Sequence, residues 1–260
     1  MSQNLQQLFS LEGCVAIVTG GAGYLGSAIV EGMLAYGAKV AVADISAANT
    51  QVNERQLHVQ CDVSSTASIR EMMSSVEKAF GGIHVLINCA TFGAGYGKEA
   101  DIVSMSDENW LKGLDGAAGT AFRCIREVIP YMERAGGGAI VNFGSMYGIV
   151  APDPAVYGDN GYNNPPNYGA GKAAVLQLTR YCAANLAGRN IRVNSITPGP
   201  FPNGAVMQDA AFIKNLSAKT MLGRVGKREE MIGAAVFLAS GAASYITGSN
   251  IVVDGGWTAW

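Results

Sequence analysis

Tyr168 and Lys172 are the two side chains of this sequence whose types and spacing best suit proton transfer. In a helix, residues four apart lie on the same face, so the lysine ammonium can lie near the phenol oxygen. A nearby positive charge favours phenolate and lowers the pKa of tyrosine, which is ~10 in a free side chain. The pair is therefore a candidate acid/base for a reaction at a substrate oxygen. Taken alone, it could equally be a helix tyrosine beside a surface lysine.

A glycine-rich turn near the N-terminus could hold a phosphate. The strand-like run Val15–Thr19 leads directly into Gly20, Gly23 and Gly26, spaced GxxGxxG, and a helical pattern follows. Glycine permits the tight turn and lets a phosphate approach the backbone amides at the helix N-terminus. Strand, turn and helix in this order predict a dinucleotide-binding site, with a plain strand–helix turn as the alternative.

Asp44 ends the second strand-like run, 18 residues after Gly26. A carboxylate at this place can accept hydrogen bonds from both adenosine ribose hydroxyls and would repel a 2′-phosphate. No Arg or Lys lies in the glycine turn or directly after Asp44. The residues therefore favour NAD over NADP as the cofactor. The alternative is an aspartate that caps a helix before Ser46.

These groups need a scaffold, and the chain alternates strand-like and helix-like segments from end to end. Short Val- and Ile-rich runs predict strands at Val15–Thr19, Lys39–Asp44, Leu57–Asp62, Ile83–Asn88, Ala139–Gly144, Ile191–Ile196 and Ile251–Asp254. Helical patterns are found near Leu25–Tyr36, Thr66–Phe80, Glu108–Arg134, Lys172–Leu186 and Glu229–Ala239. We predict a single α/β domain over residues 1–260: a doubly wound parallel sheet (Rossmann fold) of about seven strands with helices on both faces.

Composition excludes several classes of protein. Charged residues make up 15 % of the 260 residues and the net charge is −2, so no basic footprint for nucleic acid is expected. No apolar run is long enough to cross a membrane, and the polar N-terminus has no signal-peptide pattern. The five cysteines are never spaced CxxC, which predicts reduced thiols in a cytoplasmic protein without a metal site.

Several motifs follow one another in a recognisable order. They are the glycine turn, Asp62-Val63, Asn88-Cys89-Ala90, Ser145 within Gly144-Ser145-Met146-Tyr147-Gly148, Tyr168 and Lys172 as YxxxK, Pro198-Gly199 and Val253-Asp254-Gly255-Gly256. Together they resemble the motifs of the short-chain dehydrogenase/reductase family, in its single-domain NAD(P)-dependent branch, over nearly the whole chain. The resemblance implies a Rossmann-fold oxidoreductase that moves a hydride between a nicotinamide and an alcohol or ketone.

The resemblance also implies a role for each matching residue. Tyr168 is the general base in oxidation and the general acid in reduction, Lys172 binds the nicotinamide ribose, and Ser145 orients the substrate oxygen. The cofactor-binding candidates are Gly20, Gly23, Tyr24, Leu25, Gly26, Asp44, Asp62, Val63, Asn88, Ala90, Tyr168, Lys172, Pro198 and Gly199.

Some features depart from the family pattern. Ala117 occupies the position of an asparagine that commonly holds a water in the family's proton relay. Because Ser145, Tyr168 and Lys172 are present, we expect activity to survive with a rerouted water chain. The GxxGxxG turn is commoner in longer relatives that act on nucleotide sugars.

The interval between Ser145 and Tyr168 is 23 residues, longer than is usual in the family. The extra segment, residues 149–167, contains four prolines and several amide, carboxylate and phenol groups. We predict that it borders the substrate pocket, with a surface or oligomer-packing loop as the alternative. Residues 200–222 resemble the family's substrate loop. The substrate-binding candidates are Ser145, Tyr147, Asn163, Asn164 and Phe201.

We therefore expect an NAD-dependent dehydrogenase acting on a secondary alcohol or ketone of a sugar, sugar acid or polyol. One alternative is a nucleotide-sugar epimerase or dehydratase, suggested by GxxGxxG. Another is a weakly active NAD-binding protein, suggested by Ala117. The expected partner is a small-molecule substrate, with neither nucleic acid nor membrane, and the resemblance implies a homotetramer or homodimer.

Overall fold

The Val- and Ile-rich runs form the strands of one sheet. The computed structural model describes residues 5–95, 101–158 and 163–260. The strands are β1 (Val15–Thr19), β2 (Lys39–Asp44), β3 (Thr50–Asn53), β4 (Gln56–Gln60), β5 (Val85–Asn88), β6 (Gly138–Phe143), β7 (Ile191–Pro198) and β8 (Asn250–Val253). The α-helices are α1 (Tyr24–Ala35), α2 (Thr66–Phe80), α3 (Asp107–Leu114), α4 (Thr120–Arg134), α5 (Pro166–Leu186), α6 (Ala210–Ala218) and α7 (Ile232–Ala239).

The strand order is β3-β4-β2-β1-β5-β6-β7-β8. Every neighbouring pair is parallel except β3 with β4. The chain winds outward from β1 in one direction and from β5 in the other, so the order reverses between these two strands. Sheets of this kind bind ligands beyond the carboxyl ends of their strands at the reversal, which here lies after Thr19 and Asn88. The predicted doubly wound α/β fold is confirmed.

Helices cover both faces of the sheet, because both faces are apolar. On one face, α2 packs against the strands beside α4 and α5. Its buried side chains recur at helical spacing: Ile69, Met72, Met73 and Val76. On the other face, α1 and α7 pack against the same strands, with Met33 as a central contact. The sheet is therefore fully sandwiched, which leaves its carboxyl edge as the place for a ligand.

The edge strand β3 was not predicted. The segment between β2 and β4 was too polar to indicate a helix, and Thr50–Asn53 instead forms a short antiparallel strand against β4. All four of its residues are exposed, so no buried apolar side chain marks it in the sequence. The sheet consequently has eight strands, one more than the approximate number expected.

The long central helix predicted over Glu108–Arg134 is interrupted. A π-helical turn, Asp115–Gly119, separates α3 from α4. Gly116 approaches Phe92 so closely that a Cβ on the glycine would overlap the Phe92 carbonyl oxygen. Such turns widen the helix locally and occur often at functional sites. This one contains Ala117, which the resemblance matches to the family's asparagine.

Helix α5 begins earlier than the pattern indicated. It starts at Pro166 rather than Lys172, and proline is well suited to a first helical turn because that turn has no internal use for its N–H. Tyr168 and Lys172 therefore both lie within the helix, as the argument from their spacing requires.

Candidate active site

The glycine turn forms one wall of a cleft of about 620 Å³ at the carboxyl edge of the sheet. Helix α1 begins after Gly23 without a side-chain cap, which leaves the N–H groups of its first turn available to an anion. A Cβ on Gly26 would overlap the Gly20 carbonyl, so this turn closes only around glycine. Thr19 Oγ1 accepts hydrogen bonds from the Cys89 and Ala90 amides at 3.2 and 3.3 Å, which joins the turn to the end of β5.

Asp44 lies at the far end of this cleft. Its Oδ2 accepts a hydrogen bond from the Ala22 amide at 3.2 Å, and its Oδ1 accepts from the amide and hydroxyl of Ser46. Asp44 therefore closes a turn with Ser46 but caps no helix, because β2 is followed by a turn and then by β3. The same carboxylate lines the cleft. A carboxylate has about four acceptor positions, so it can still accept bonds from ribose hydroxyls.

The structure brings most predicted cofactor residues together in this cleft. Its lining contains Gly20, Gly23, Tyr24, Leu25, Gly26, Asp44, Asp62, Val63 and Ala90. Asn88 is buried in β5, where its amide donates to Asn142 Oδ1 at 2.9 Å, and Pro198 ends β7 beside Val253. These two residues therefore support the cleft from the sheet and do not line it.

Lys112 also lines the cofactor cleft, and the sequence did not indicate it. It lies on α3 and packs against Gly93, after the end of β5. No motif surrounds it, and only the fold brings α3 over the cleft. Lys112 places a cation beside a site predicted to hold a negatively charged dinucleotide.

Ser145, Tyr168 and Lys172 meet where β6 and α5 adjoin. Ser145 follows β6 and its Oγ accepts a hydrogen bond from the Tyr147 amide at 3.2 Å. Lys172 Nζ donates to the Phe143 carbonyl at 2.8 Å and lies 5.8 Å from the centroid of the Tyr168 ring. The lysine therefore joins α5 to the end of β6, the strand that precedes Ser145.

Burial dominates the acid–base properties of this group. It raises the pKa of Tyr168, and hydrogen bonding with Ser145 lowers that pKa only in part. This corrects the expectation that the lysine would lower it: Lys172 Nζ is engaged with the Phe143 carbonyl, so desolvation of the phenolate prevails. Burial also lowers the pKa of Lys172 to about 8. It raises the pKa of the neighbouring Cys89 thiol to about 11, so this cysteine is a thiol at neutral pH.

Ala117 contributes only a methyl group next to the catalytic helix. A Cβ on Gly171 would lie 2.8 Å from the Ala117 Cβ, so the two helices touch at small residues. A buried side-chain amide, that of Asn167, lies directly before Tyr168. Its Nδ2 donates to the Asn109 carbonyl at 2.8 Å, and its Oδ1 has no partner among the described residues. Asn167 thus fastens the start of α5 to α3.

A second cleft, of about 450 Å³, opens beside the catalytic group. Among the substrate candidates, Ser145, Tyr147 and Asn164 line it together with Tyr168 and Gly199. Asn163 is not in this lining, although its Oδ1 is buried without a partner among the described residues. Phe201 lies elsewhere, in a small cavity beneath the substrate loop, where it packs against Gly226.

The insertion, residues 149–167, packs over this second cleft. Its residues 159–162 lie outside the described residues. Val156 is buried in an apolar cluster with Leu216 of α6 and Trp257, and the Tyr157 ring lies 5.4 Å from the Phe212 ring. Tyr157 is one of the insertion's phenol groups that the sequence placed at the substrate pocket, but its contact with Phe212 joins residues remote in the chain and was not predicted. Within the described residues the insertion thus contacts the substrate loop.

Two further searches cover the described part of the chain. No three His, Cys, Asp or Glu side chains there lie close enough together to hold a metal ion. None of the helices in residues 5–95, 101–158 and 163–260 is both long and apolar enough to cross a membrane.

A dinucleotide-sized cleft at the strand reversal, joined to a Ser–Tyr–Lys group, defines a nicotinamide-dependent oxidoreductase of the Rossmann type. The family model described as "Enoyl-(Acyl carrier protein) reductase" matches residues 21–258. The chain is 36 % identical over 256 residues to 3-oxoacyl-[acyl-carrier-protein] reductase FabG of Thermotoga maritima, covering 95 % of this chain and 98 % of the relative. It is 34 % identical over 261 residues to D-threitol dehydrogenase of Mycolicibacterium smegmatis, covering 96 % and 95 %.

A solved structure is similar over the same length. A gluconate 5-dehydrogenase from Burkholderia cenocepacia, in complex with NADP and tartrate, has a TM-score of 0.83 and 27 % identity, covering 98 % of this chain and 99 % of that chain. The chain therefore belongs to the short-chain dehydrogenase/reductase family. Since relatives of the same length match from end to end, a two-domain nucleotide-sugar epimerase or dehydratase is not favoured.

Proposed function

We propose that this protein is an NAD-dependent dehydrogenase that oxidises a secondary alcohol of a small polyhydroxy compound, such as a sugar, sugar acid or polyol, and catalyses the reverse reduction. The observation that carries this proposal is the contact between two clefts. Thr91 and Phe92 line both the dinucleotide cleft and the substrate cleft. Ser145 and Tyr168 line the substrate cleft beside them. An alcohol held in one cleft can thus reach a nicotinamide held in the other.

The nicotinamide supplies the hydride acceptor when it is bound. Tyr168 takes the hydroxyl proton as the alcohol carbon loses its hydride, and it returns a proton to the ketone oxygen in reduction. Ser145 donates a hydrogen bond to that oxygen and fixes its position. Lys172 holds α5 against β6 through the Phe143 carbonyl and places a positive charge near the phenol. The raised pKa of Tyr168 favours its acid form, so oxidation should gain rate as pH rises.

The preference for NAD rests on Asp44. Its carboxylate lines the dinucleotide cleft and is held in place by Ala22 and Ser46, so a 2′-phosphate there would meet a fixed negative charge. The structural neighbour from Burkholderia cenocepacia holds NADP, so cofactor choice varies among proteins of this shape. Asp44 is therefore the residue on which this part of the proposal depends.

The polyhydroxy substrate is supported by the polar groups of the second cleft. Two phenols, Tyr147 and Tyr168, and the Asn164 amide line it with Ser145. Such groups orient hydroxyl-bearing ligands through hydrogen bonds. The D-threitol dehydrogenase and the tartrate-bound gluconate 5-dehydrogenase are relatives whose ligands also carry several hydroxyl groups.

A 3-oxoacyl thioester reductase is the second candidate. It is favoured by the similarity to the Thermotoga maritima reductase and by the description of the matching family model. The two candidates differ in substrate and cofactor. Reduction of acetoacetyl-CoA with NADPH at a higher kcat/KM than any polyol oxidation with NAD would establish this second candidate.

The exposed apolar side chains of α4, α5 and β8 support a homo-oligomer. Phe122, Tyr181 and Val252 are each exposed by more than a third. We propose a homotetramer or homodimer that covers them, since removing apolar surface from water favours association and most oligomers are symmetric assemblies of one chain. Light scattering of the purified protein tests this directly.

The test of the function is NADH formation from a panel of sugars, sugar acids and polyols at neutral and alkaline pH, with NAD and NADP compared. Tyr168→Phe should lower kcat by at least about 100-fold, because general acid–base catalysis contributes about 10²–10⁴. Tyr36→Phe, at an exposed tyrosine after α1, is the matched control and should retain full activity. Equal turnover by Tyr168→Phe and wild type would contradict the proposed role. Retained NAD with no turnover of any substrate would favour a non-catalytic protein.

A further inference from the structure

The insertion is fixed to the substrate loop by several different contacts. Tyr157 stacks on Phe212 at 5.4 Å between ring centroids, and Asn215 Nδ2 donates to the Val156 carbonyl at 3.0 Å. Asp153 forms an ion pair with Lys219 after the end of α6. The insertion therefore has a defined position over the second cleft, and its polar side chains can be placed relative to the catalytic group.

This position completes a chain of polar groups. The Tyr157 hydroxyl donates to the Tyr147 hydroxyl at 3.4 Å. The Asn164 amide also hydrogen-bonds with the Tyr157 phenol. Burial raises the pKa of Tyr157, and the bond with Asn164 offsets part of that rise. Because Tyr147 accepts the hydrogen of Tyr157, its own hydroxyl hydrogen remains to be donated. Tyr147 lines the same cleft as Ser145, so this hydrogen is available to a substrate.

The same cleft also presents an acceptor. Asn164 lines it, and the Asn164 Oδ1 atom is buried without a hydrogen-bond partner among the described residues. A buried acceptor of this kind costs free energy unless a donor reaches it. A phenol that donates and an amide oxygen that accepts together match a hydroxyl group, which is both donor and acceptor.

Other substrate groups match this pair less well. A carboxylate only accepts hydrogen bonds, so it would be repelled by the Asn164 oxygen. A methyl group would leave both the Tyr147 hydroxyl and the Asn164 oxygen without a partner. The pair therefore selects a neutral hydroxyl from among the groups that a polyhydroxy compound or a sugar acid could present.

We propose that Tyr147, Tyr157 and Asn164 form a second substrate subsite, which binds a hydroxyl group other than the one that reacts. The preferred substrate is then a neutral polyol or diol, in preference to a sugar acid or a simple secondary alcohol. Tyr157 is the positioning residue of this subsite, since it acts through Tyr147. The proposal rests on the proposed dehydrogenase function, because it takes Tyr168 as the acid/base.

The test compares three four-carbon secondary alcohols that differ in one group: butane-2,3-diol, butan-2-ol and 3-hydroxybutanoate. The wild type should show the highest kcat/KM for the diol, by about tenfold over butan-2-ol, since one good hydrogen bond contributes about 1.4 kcal/mol. Tyr157→Phe and Asn164→Ala should each lower the ratio of kcat/KM for the diol to kcat/KM for butan-2-ol several-fold, mainly by raising the KM of the diol. Tyr36→Phe serves as the control, and its ratio should equal that of wild type.

Three results would overturn the subsite. They are a wild type that prefers 3-hydroxybutanoate, a wild type without preference for the diol, and variants that leave the ratio unchanged while lowering both kcat/KM values equally. In each case Tyr168-dependent turnover would leave the dehydrogenase function standing. A wild type that oxidises neither these alcohols nor any member of the panel of sugars, sugar acids and polyols would instead overturn the proposed function itself.

Discussion

The two clefts of this protein meet at Thr91 and Phe92, which line both, but they are built in different ways. The dinucleotide cleft is built mainly from backbone: a turn that closes only around Gly26, and helix N–H groups without a side-chain cap. The substrate cleft owes its polar groups to side chains of irregular segments, the turn after β6 and the insertion, and a remote helix, α6, contacts the insertion. Asn164 and Tyr147 line it, and Phe212 holds the insertion over it.

This difference indicates how each cleft can change. A backbone cradle binds what all family members share, and nearly any added atom spoils it. A side-chain cleft on irregular segments can be altered one residue at a time without disturbing the sheet. Cofactor binding should therefore respond to glycine substitutions in an all-or-none manner, and substrate selection should respond in small steps.

The largest effect is expected at Gly26. In Gly26→Ala the new Cβ overlaps the Gly20 carbonyl oxygen, so the turn must open and the amides lose their alignment. We expect the Kd for NADH to rise at least about 100-fold, measured by fluorescence titration, corresponding to about 3 kcal/mol. Gly23→Ala, whose Cβ would lie 3.1 Å from the same oxygen, should have a smaller effect.

The matched control for these variants is Gly233→Ala. Gly233 lies in α7, and a Cβ there would meet no atom within 4 Å. Its NADH affinity should equal that of wild type, and its stability should rise by about 0.5–1 kcal/mol because alanine is the better helix former. Wild-type NADH affinity in Gly26→Ala would show that the turn can accommodate a Cβ. The dinucleotide cleft would then tolerate substitution as the substrate cleft does.

The same contrast explains what the sequence could predict. The dinucleotide cleft was predictable because strand, turn and helix are contiguous, and Asp44 follows at a characteristic spacing. The sequence placed Tyr157 among the polar groups of the insertion, but its packing was not predictable, since its partner Phe212 lies far along the chain and no periodicity joins the two. The misplacement of Phe201 has the same cause: a position in the substrate loop does not say which side of the loop faces the substrate.

Regular elements show a similar limit. β3 was missed because all its residues are exposed at a sheet edge, where pairing with β4 leaves no apolar signature. The π-helical turn at Asp115–Gly119 was missed because nothing in its residue types distinguishes a π-helical turn from a turn of regular α-helix. It is revealed only by the approach of Gly116 to the Phe92 carbonyl, a tertiary contact.

An effect of intermediate size is expected at Lys172, where function opposes stability. Its pKa of about 8 in the folded protein lies below the usual 10.5, so burial destabilises the charged form. The cost is fully present below pH 8 and is relieved as pH rises from about 8 to 10.5. The difference in Tm between Lys172→Met and wild type should therefore be more favourable to the variant at pH 7 than at pH 10. The expected change is several degrees, since 1 kcal/mol is about 2–4 °C in a chain of this size.

Lys78→Met, at an exposed lysine on α2, is the control and should show no such trend with pH. Lys172→Met should also lose NAD reduction while its stability at pH 7 rises relative to wild type. Such a trade-off is expected for a buried functional charge. A Tm difference independent of pH would mean that the ammonium is better solvated than its burial indicates. Burial of Lys172 would then cost the folded protein little stability.

The smallest effect is expected at the ion pair between Asp153 and Lys219, which joins the insertion to the end of α6. The Asp153 side chain is 35 % exposed and the Lys219 side chain 48 %, so water and salt screen their attraction. Asp153→Asn should change kcat/KM for butane-2,3-diol by less than about twofold at low salt and leave it unchanged at high salt. The Tyr157–Phe212 stack and the Asn215 hydrogen bond hold the insertion without the ion pair. Phe212→Ala should have the larger effect on the same measurement, and the reverse order would show that charge, rather than aromatic packing, holds the substrate cleft together.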